Sequence, residues 1–199
     1  MKNVCEELEA RGIDISRMVA LDFFARKGDW QASQYARKVK KIYAWEIKKN
    51  HKKDLIKNLP ENAKITIGDS FSLAKIPKYF NLFDLIVLDN PMNCYANSMY
   101  CEHFEALPLI PILLKDNGVI VFNVKLSPYN LSMHSEWEKR RNIFYNVKDS
   151  KNLSLDFINK FYSEYFKKLG YKINFLFTKH RKQEKDLYYV VISVIREDK

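Results

Sequence analysis

The chain has 199 residues, of which 47% are hydrophobic and 29% are charged, and its formal net charge is +10. This composition is typical of a folded protein and excludes an intrinsically disordered chain, and no apolar run approaches the roughly 20 residues that a membrane helix requires. At this length we expect a single domain over residues 1–199, large enough to bury a substantial core.

Cysteine and histidine are few and scattered along the chain. Cys5, Cys94 and Cys101 match neither a disulfide framework nor the spacing of zinc ligands, and residues 1–8 are too charged for a secretory signal. The histidines are equally dispersed, at His51, His103, His134 and His180. We therefore expect no metal site, no membrane segment and a location in the reducing cytoplasm.

Apolar periodicity predicts helices and strands that alternate along residues 1–122. A short helix at 3–11 belongs to a helical extension, residues 1–17, that precedes the first strand. We expect strands at 18–23, 42–47, 63–67, 83–88 and 119–122, with helices between them at 30–38, 48–59, 71–80 and 98–114. Pro108 and Pro111 must break or kink the last helix, and Asn117-Gly118 is predicted to form the turn before the fifth strand.

The C-terminal third predicts a different arrangement. Residues 125–153 are polar and aromatic, and we interpret them as an insertion or lid over the working edge of the sheet. An amphipathic helix at 155–169 ends at Gly170, and strands at 173–177 and 187–194 follow as antiparallel neighbours. The predicted fold is therefore α/β, with a mostly parallel seven-stranded sheet that ends in an antiparallel hairpin.

Acidic residues follow the predicted strands in a regular way. From Met18 to Val39 the chain has the strand, bend and helix order that builds a nucleotide pocket in open α/β sheets. The first three strands end in Asp22, Glu46 and Asp69, and the fourth ends in Asp89. Any one of these acids could simply cap its strand, but neighbouring parallel strands end side by side, so together they predict one crevice. A carboxylate after the second strand can accept both hydroxyls of a ribose.

The positive charge is concentrated in two segments. Residues 37–57 contain nine Lys or Arg against two acids, and residues 179–185 contain Lys179, Arg181, Lys182 and Lys185. Such clusters fit contact with phosphate backbones, although a solvated helix face explains them equally well. The candidate phosphate contacts are Lys40, Lys41, Lys48, Lys49, Lys52 and Lys53.

Taken together, these motifs resemble the class I (Rossmann-like) S-adenosylmethionine-dependent methyltransferases over residues 18–197. The resemblance is carried by Ala20-Leu-Asp-Phe-Phe-Ala-Arg-Lys-Gly28, Tyr43-Ala-Trp-Glu46, Gly68-Asp-Ser70, Phe83-Asp-Leu-Ile-Val-Leu-Asp-Asn-Pro91 and Leu114-Lys-Asp-Asn-Gly-Val-Ile-Val121. The closing helix and hairpin are also the usual ending of that family.

The resemblance implies S-adenosylmethionine as cofactor and assigns roles to the strand ends. Asp22 and the backbone from Phe24 to Gly28 would hold the methionine part of the cofactor. Glu46 would bind the ribose, and Ile47 would pack on the adenine. Asp69 and Ser70 would lie at the adenine edge. The predicted catalytic residues, which face the methyl group and the acceptor, are Asp89, Asn90 and Pro91.

The sequence departs from the family pattern at two places. Phe24 and Arg26 replace two loop glycines, so the loop takes another path or the affinity for the cofactor is low or lost. Arg26 either reaches the carboxylate of the cofactor or is a surface arginine. The segment Asp89-Asn-Pro-Met92 resembles the Asp/Asn-Pro-Pro-Tyr/Phe loop of methyltransferases that act on exocyclic amino groups of bases. Here Asn90 replaces the first proline and Met92 the aromatic residue, which Tyr95 follows.

Three functions are compatible with these features. The leading hypothesis is a methyltransferase that acts on a nitrogen of RNA or DNA, an exocyclic amino group. The second is a small-molecule methyltransferase with an aromatic lid formed by Tyr129, Trp137, Phe144 and Tyr145. The third is a methyltransferase-like binding or assembly protein that has lost catalysis, and the degenerate glycine loop is its main support.

Overall fold

The computed structural model describes residues 1–89, 102–127, 135–181 and 184–197, which form a seven-stranded sheet flanked by helices. The strands are β1 (Val19–Asp22), β2 (Lys41–Glu46), β3 (Lys64–Ile67), β4 (Phe83–Leu88), β5 (Leu114–Lys125), β6 (Tyr171–His180) and β7 (Leu187–Arg196). Their order in the sheet is β3-β2-β1-β4-β5-β7-β6. The strands from β1 to β5 are parallel, whereas β7 is antiparallel to both β5 and β6. The predicted α/β fold with a C-terminal antiparallel hairpin is confirmed.

Most of the described helices lie close to their predicted positions, although several are shorter, and α6 lies in the segment interpreted as an insertion or lid. They are α1 (Lys2–Ala10), α2 (Gln31–Tyr35), α3 (Lys52–Asn58), α4 (Ser70–Leu73), α5 (Ile110–Leu113), α6 (Ser135–Tyr145) and α7 (Leu155–Lys168). Within the helix predicted at 98–114, a 3₁₀ turn at Leu107–Leu109 precedes α5, and residues 98–101 lie outside the described ranges. Pro108 and Pro111 occupy the first turns of these two pieces, where the missing N–H breaks no helical bond.

The prediction of a turn at Asn117-Gly118 is wrong. Both residues belong to β5, where they pair with β7, while the pairing of β5 with β4 shifts register in this region. A Cβ atom on Gly118 would lie 2.7 Å from Cδ1 of Leu114 and 3.1 Å from the backbone oxygen of Asp84. Glycine is therefore needed at position 118 because the backbone of β4 lies very close to it where the pairing of β4 and β5 is irregular. It does not mark a reversal of the chain.

The core consists of two clusters on opposite faces of the sheet. On one face, Leu8 of α1, Tyr35 of α2 and Leu55 of α3 pack against strand residues such as Ala20. On the other face, the cluster takes Leu21 from the same strand, together with buried residues of α5, α6 and α7. This alternation follows from the two-residue period of a strand and gives three layers, helix on sheet on helix.

Buried hydrogen bonds and an ion pair hold helix α6 against the end of β5. The Arg141 guanidinium forms an ion pair with Glu102 and donates to the backbone oxygen of Lys125 at 2.9 Å. Trp137 Nε1 donates to the same Glu102 oxygen at 2.9 Å. Burial raises the pKa of Glu102, and the Arg141 charge opposes this rise. Removal of either charge would leave the other buried and unpaired, so the network fixes residues 102 and 141 together.

The aromatic residues of the predicted insertion contribute to this packing. Trp137 and Tyr145 are buried, and the ring of Phe144 stacks on Phe104 with 4.0 Å between centroids. Tyr129 lies outside the described residues. The aromatic side chains of α6 therefore pack within the core. A lid over the edge of the sheet stays a prediction. Within the described ranges, no helix is long and apolar enough to cross a membrane.

Candidate functional site

The strand-end acids come together at the carboxyl edge of the sheet. Asp22 pairs in register with Ala44 of β2 and Val87 of β4. Glu46 and Asp89 follow two residues beyond these partners, so the three acids end adjacent strands. The order of the strands along the chain reverses between β1 and β4, and the crevice outside such a switch point is where open α/β sheets bind ligands.

Asp22 is a buried carboxylate at the centre of this edge. It is 2% exposed, and its Oδ2 atom accepts a hydrogen bond from the Tyr35 hydroxyl at 3.0 Å. Its Oδ1 atom is also buried and receives no hydrogen bond of ordinary geometry within the part of the chain that the structure describes, although the nearby backbone N–H of Phe24 also acts on this carboxylate and opposes the rise of its pKa. Burial raises the pKa of Asp22 to about 7, and the charges of Asp89 and Glu46 add to this rise. An unpartnered carboxylate oxygen of this kind is suited to a hydrogen-bond donor or a cation.

Asp89 is held by two residues from other elements. Arg181 Nη1 lies 2.7 Å from its Oδ1 atom, and Asn123 of β5 donates a hydrogen bond to the same oxygen. Burial raises the pKa of Asp89, while the Arg181 charge and these hydrogen bonds oppose the rise. None of the described bonds goes to Oδ2, which leaves that oxygen for another donor. The other two predicted catalytic residues, Asn90 and Pro91, lie outside the described residues, as do Met92 and Tyr95.

The loop after β1 adopts a glycine-like conformation at one of the two positions where the sequence lacks an expected glycine, Arg26. Arg26 has φ +50° and Gly28 has φ +70°, both in the left-handed region that favours glycine. The exposed Arg26 guanidinium lies 4.2 Å from the ring centroid of Trp30, a cation–π contact at the surface. Phe24 is half-buried, with its ring centroid 4.8 Å from that of Phe23. The loop therefore keeps a tight turn although Arg26 stands at a position that favours glycine.

Glu46 and Ile47 form the next part of the edge. Glu46 is 6% exposed, and its Oε1 atom accepts from the backbone N–H of Lys48 at 2.8 Å and lies 3.4 Å from His51 Nδ1. Ile47, in contrast, is 63% exposed. A buried acid followed by an exposed apolar side chain matches a ribose partner beside a surface that a planar base can cover.

Asp69 and Ser70 already have structural partners. Both oxygens of Asp69 cap α4, accepting from the backbone N–H groups of Phe71 and Ser72. The Ser70 hydroxyl donates to the backbone oxygen of Phe23 at 2.6 Å and so ties α4 to the end of β1. These bonds place both residues at the same edge as Asp22, and their contact with an adenine stays a prediction.

The two basic clusters differ in the structure. Five of the six candidate phosphate contacts are exposed, and no described acid pairs with them: Lys40, Lys48, Lys49, Lys52 and Lys53. Lys41 is half-buried, with its amine 5.4 Å from the ring centroid of Tyr43. In the second cluster, Lys179 pairs with Glu7 at 2.8 Å and Arg181 with Asp89. Lysines 48, 49, 52 and 53 of the first cluster thus present unneutralised charge beside Glu46. Lys38 of the same cluster pairs with Glu9, and two members of the second cluster are likewise used within the protein.

Sequence reasoning missed Tyr35 and Asn123 as members of the site and placed Arg181 only in a basic cluster. Tyr35 belongs to the periodic pattern of α2, and Asn123 lies within an apolar strand. Their approach to Asp22 and Asp89 depends on the packing of α2 and on the neighbouring positions of β4 and β5. A buried asparagine inside an apolar strand was the available signal, because such a group needs a hydrogen-bond partner.

Comparison with known proteins shows a shared fold. No family model and no curated protein sequence matches the chain. Among solved structures, M. jannaschii TYW2 in complex with AdoMet is 18% identical over 98% of this chain and 77% of that one, with a TM-score of 0.55. PH1948 from Pyrococcus horikoshii, provisionally described as an RNA methyltransferase, is 17% identical over 98% of this chain and 82% of its own, with a TM-score of 0.55.

A third similar structure contains a small substrate. It is the Burkholderia thailandensis 1,6-didemethyltoxoflavin-N1-methyltransferase with bound 1,6-didemethyltoxoflavin and S-adenosylhomocysteine. It is 11% identical over 98% of this chain and 76% of that one, with a TM-score of 0.56. At these identities the likeness establishes the fold and leaves the substrate to be argued from the site.

Proposed function

We propose that this chain, which has the fold of the class I S-adenosylmethionine-dependent methyltransferases, transfers a methyl group from S-adenosylmethionine to an exocyclic amino nitrogen of RNA or DNA. The observation that carries this proposal is the row of acids at the switch point, in which Asp22 keeps a buried, unpartnered oxygen beside Asp89. Structural neighbours with bound AdoMet and S-adenosylhomocysteine support the choice of cofactor. A cytoplasmic location, expected from the scattered cysteines, belongs to the same proposal.

The residues present fit this cofactor. The Oδ1 atom of Asp22 would accept from the ammonium group of its methionine part, which supplies the missing partner. Glu46 would accept from the ribose hydroxyls through Oε2, since its described bonds go to Oε1. Exposed Ile47 would cover one face of the adenine. Asp69 and Ser70 would lie beside the edge of the adenine while they keep their hydrogen bonds to α4 and to the Phe23 backbone.

When bound, S-adenosylmethionine supplies a methyl group on a positively charged sulfur, and transfer is a direct displacement. The protein mainly aligns the two reactants. Asp89 would accept a hydrogen bond from the acceptor amine through Oδ2 and take the proton that the nitrogen releases. Its raised pKa makes it a stronger base than an exposed carboxylate. Arg181 and Asn123 hold Oδ1 and so orient Asp89 for this role.

The charge distribution favours a nucleic acid as acceptor. Lysines 48, 49, 52 and 53 are exposed beside the adenosine end of the crevice. Phosphate contacts of this kind supply most sequence-independent affinity for nucleic acids. One neighbour is provisionally described as an RNA methyltransferase, which agrees with this choice. A small-molecule acceptor is the alternative, supported by the neighbour that binds 1,6-didemethyltoxoflavin.

Calorimetric titration with S-adenosylhomocysteine tests the cofactor assignment. We expect the wild-type protein to bind and Glu46→Ala to bind about 10- to 100-fold more weakly, because hydrogen bonds to a charged group are worth about 1.5–3 kcal/mol. Glu61→Ala is the matched control, since it removes an exposed acid on the loop between α3 and β3.

The proposal fails if the folded wild-type protein shows no binding at millimolar cofactor, or if Glu46→Ala and Glu61→Ala bind equally. Absence of binding by a folded protein would favour the third function, a binding or assembly protein that has lost catalysis.

A further inference from the structure

Trp30 is an exposed aromatic residue at the edge of the candidate site. It lies between the bend after β1 and the start of α2, and 53% of it is exposed. The other two tryptophans, Trp45 and Trp137, are fully buried in the core. About half of this large indole is open to solvent, so it presents a planar aromatic surface that a ligand can cover.

Two guanidinium groups lie near the Trp30 ring. The Cζ atom of Arg26 lies 4.2 Å from the ring centroid, and that of Arg181 lies 5.8 Å away. Arg181 is also the residue that holds Asp89 at 2.7 Å. One guanidinium therefore joins the exposed ring to the carboxylate of the proposed acceptor site. This junction brings a planar apolar surface, positive charge and a hydrogen-bond acceptor within the reach of a single nucleotide.

We propose that Trp30 is the platform on which the acceptor base stacks while Asp89 accepts a hydrogen bond from its exocyclic amino group. The ligand is a nucleobase that carries such an amino group, either in a nucleic-acid strand or as a free nucleotide. This inference rests on the proposed function, because it identifies the substrate contact of the same site. It assigns to the β1–α2 loop the aromatic contact that the Asp89-Asn-Pro-Met92 segment lacks in sequence.

The chemistry around Trp30 matches a nucleotide better than a purely apolar ligand. Indole faces stack on any nucleobase, and stacking contributes about 1–3 kcal/mol per base. The Arg26 side chain is exposed and lies against the ring, where it can pair with the phosphate of the stacked nucleotide. Arg181 keeps Asp89 oriented toward the amino group. Trp30 would thus supply stacking, Arg26 the positive charge and Asp89 the hydrogen-bond acceptor.

The burial of the other two tryptophans allows a direct optical test. Because Trp30 is exposed and the other two tryptophans are buried, the fluorescence that acrylamide can quench comes from Trp30. A base stacked on Trp30 should quench this same emission. We expect quenching by a single-stranded RNA oligonucleotide of mixed sequence and, more weakly, by adenosine monophosphate. Trp30→Phe should abolish the quenching signal while it keeps an aromatic platform.

Affinity is measured separately by the anisotropy of a fluorescently labelled oligonucleotide. Trp30→Ala should bind about tenfold more weakly than wild type, and Trp30→Phe should bind within a few-fold of it. Ile143→Ala is the control, because Ile143 is a large apolar side chain of α6 that is 79% exposed. It should leave both quenching and affinity unchanged, and thermal melting confirms that each variant is folded.

The outcomes separate this inference from the proposed function. Equal oligonucleotide affinity in Trp30→Ala and wild type overturns the platform, even if calorimetry shows cofactor binding. Quenching by S-adenosylhomocysteine but by neither nucleic-acid ligand also overturns it, since Trp30 would then cover the cofactor. Base binding that depends on Trp30 in a protein that binds no cofactor supports the platform and refutes methyl transfer. Equal affinity for the mononucleotide and the oligonucleotide supports it with a free nucleotide as the ligand.

Discussion

At the scale of single residues, the site is defined by carboxylates that the fold places in an unfavourable environment. Asp22 and Asp89 are both largely removed from water, and burial raises both pKa values. Neighbouring strands hold the two acids close enough that the charge of Asp89 raises the pKa of Asp22 further. Two buried acids with raised pKa values at a strand edge are typical of a functional site rather than of a stable core.

The raised pKa of Asp22 predicts how stability depends on pH. Between the ordinary value of about 4 and the folded value of about 7, the folded protein holds a proton on Asp22 that the unfolded chain has lost. The contribution of Asp22 to the free energy of unfolding should therefore fall as pH rises through this window and change little above it. In Asp22→Asn, which cannot titrate, the fall between pH 5 and 7.5 should be smaller. The remaining slope combines Asp89 and Glu102, whose pKa values are also raised, with the opposite contribution of His103, whose pKa burial lowers to about 3.

Urea denaturation at several pH values measures this effect. Asp14→Asn is the control, because hydrogen bonds from Ser16 lower the pKa of exposed Asp14, which is ionised throughout the same window. Parallel stability profiles for wild type and Asp22→Asn would contradict the assignment. A cationic cofactor group beside Asp22 would favour its ionised form. As pH increases toward 7, the affinity of the wild-type protein for the cofactor should then increase by up to about tenfold per pH unit. Asp22→Asn should not show this increase.

At the scale of elements, the loop between β1 and α2 packs closely against α3 and the residue that ends it. Gly28 has φ +70°, and a Cβ atom there would lie 3.1 Å from Cγ of Leu59 and 3.2 Å from Cδ2 of Leu55. Both leucines are buried, so they cannot move aside without loss of packing. The surviving glycine of the loop is thus required by its backbone conformation and by its distance from a neighbouring element.

Gly28→Ala should destabilise the protein more than Gly12→Ala does. Gly12 has φ +82° with no atom within 4 Å of an added Cβ, so its substitution measures the left-handed backbone cost alone, about 1–2 kcal/mol. Gly28→Ala adds overpacking against α3, which costs about 1–3 kcal/mol more. The measurement is the free energy of unfolding in urea. Equal losses in the two variants would show that the loop has room to relax.

At the scale of the whole molecule, the net charge of +10 is distributed unevenly around the sheet. The lysines that follow β2 are exposed and without described acidic partners, whereas Lys179 and Arg181 are paired. A strand of nucleic acid that enters the carboxyl edge would therefore meet the charge of the first cluster beside Glu46. This arrangement implies that affinity depends on salt and on the location of charge, not only on its total.

Replacing Lys48, Lys49, Lys52 and Lys53 together by Gln should flatten the salt dependence of RNA binding. Each lost phosphate contact reduces the slope of log affinity against log salt by about 0.7 for a single strand, so four contacts account for a change of up to about 3. Fluorescence anisotropy between 50 and about 200 mM salt covers the useful range. The experiment measures binding at equilibrium and needs no methyl transfer.

A second variant with the same change in charge is the control. Lys160, Lys167, Lys168 and Lys172 are exposed on α7 and the start of β6, and their replacement by Gln should change the slope little. Equal slopes in the two quadruple variants would show that RNA follows net charge without a defined path. A salt-insensitive interaction would favour the small-molecule acceptor.

The positions of the strands and the acids that end them followed from the sequence itself. Buried parallel strands are continuous apolar runs, and an acid such as Asp22, Glu46 or Asp89 marks the point where each chain segment leaves the core. Parallel pairing then places these ends on one edge, so the row of acids is predictable from the sequence. The lengths of α2 and α4 could not, because packing rather than apolar periodicity decides where a short helix ends.

Tertiary structure alone decided which side chains surround those acids. Tyr35, Asn123 and Arg181 reach Asp22 and Asp89 from 13 to 92 residues away in the chain, and no local pattern encodes such distances. The same holds for Gly118, where an Asn-Gly pair that signals a turn is instead held in β5 by a close backbone approach. Local sequence encodes periodicity and the ends of elements, whereas the pairing of buried polar groups depends on which elements become neighbours. The sequence by itself therefore determined the sheet edge and its acids, and the fold decided how those acids are held.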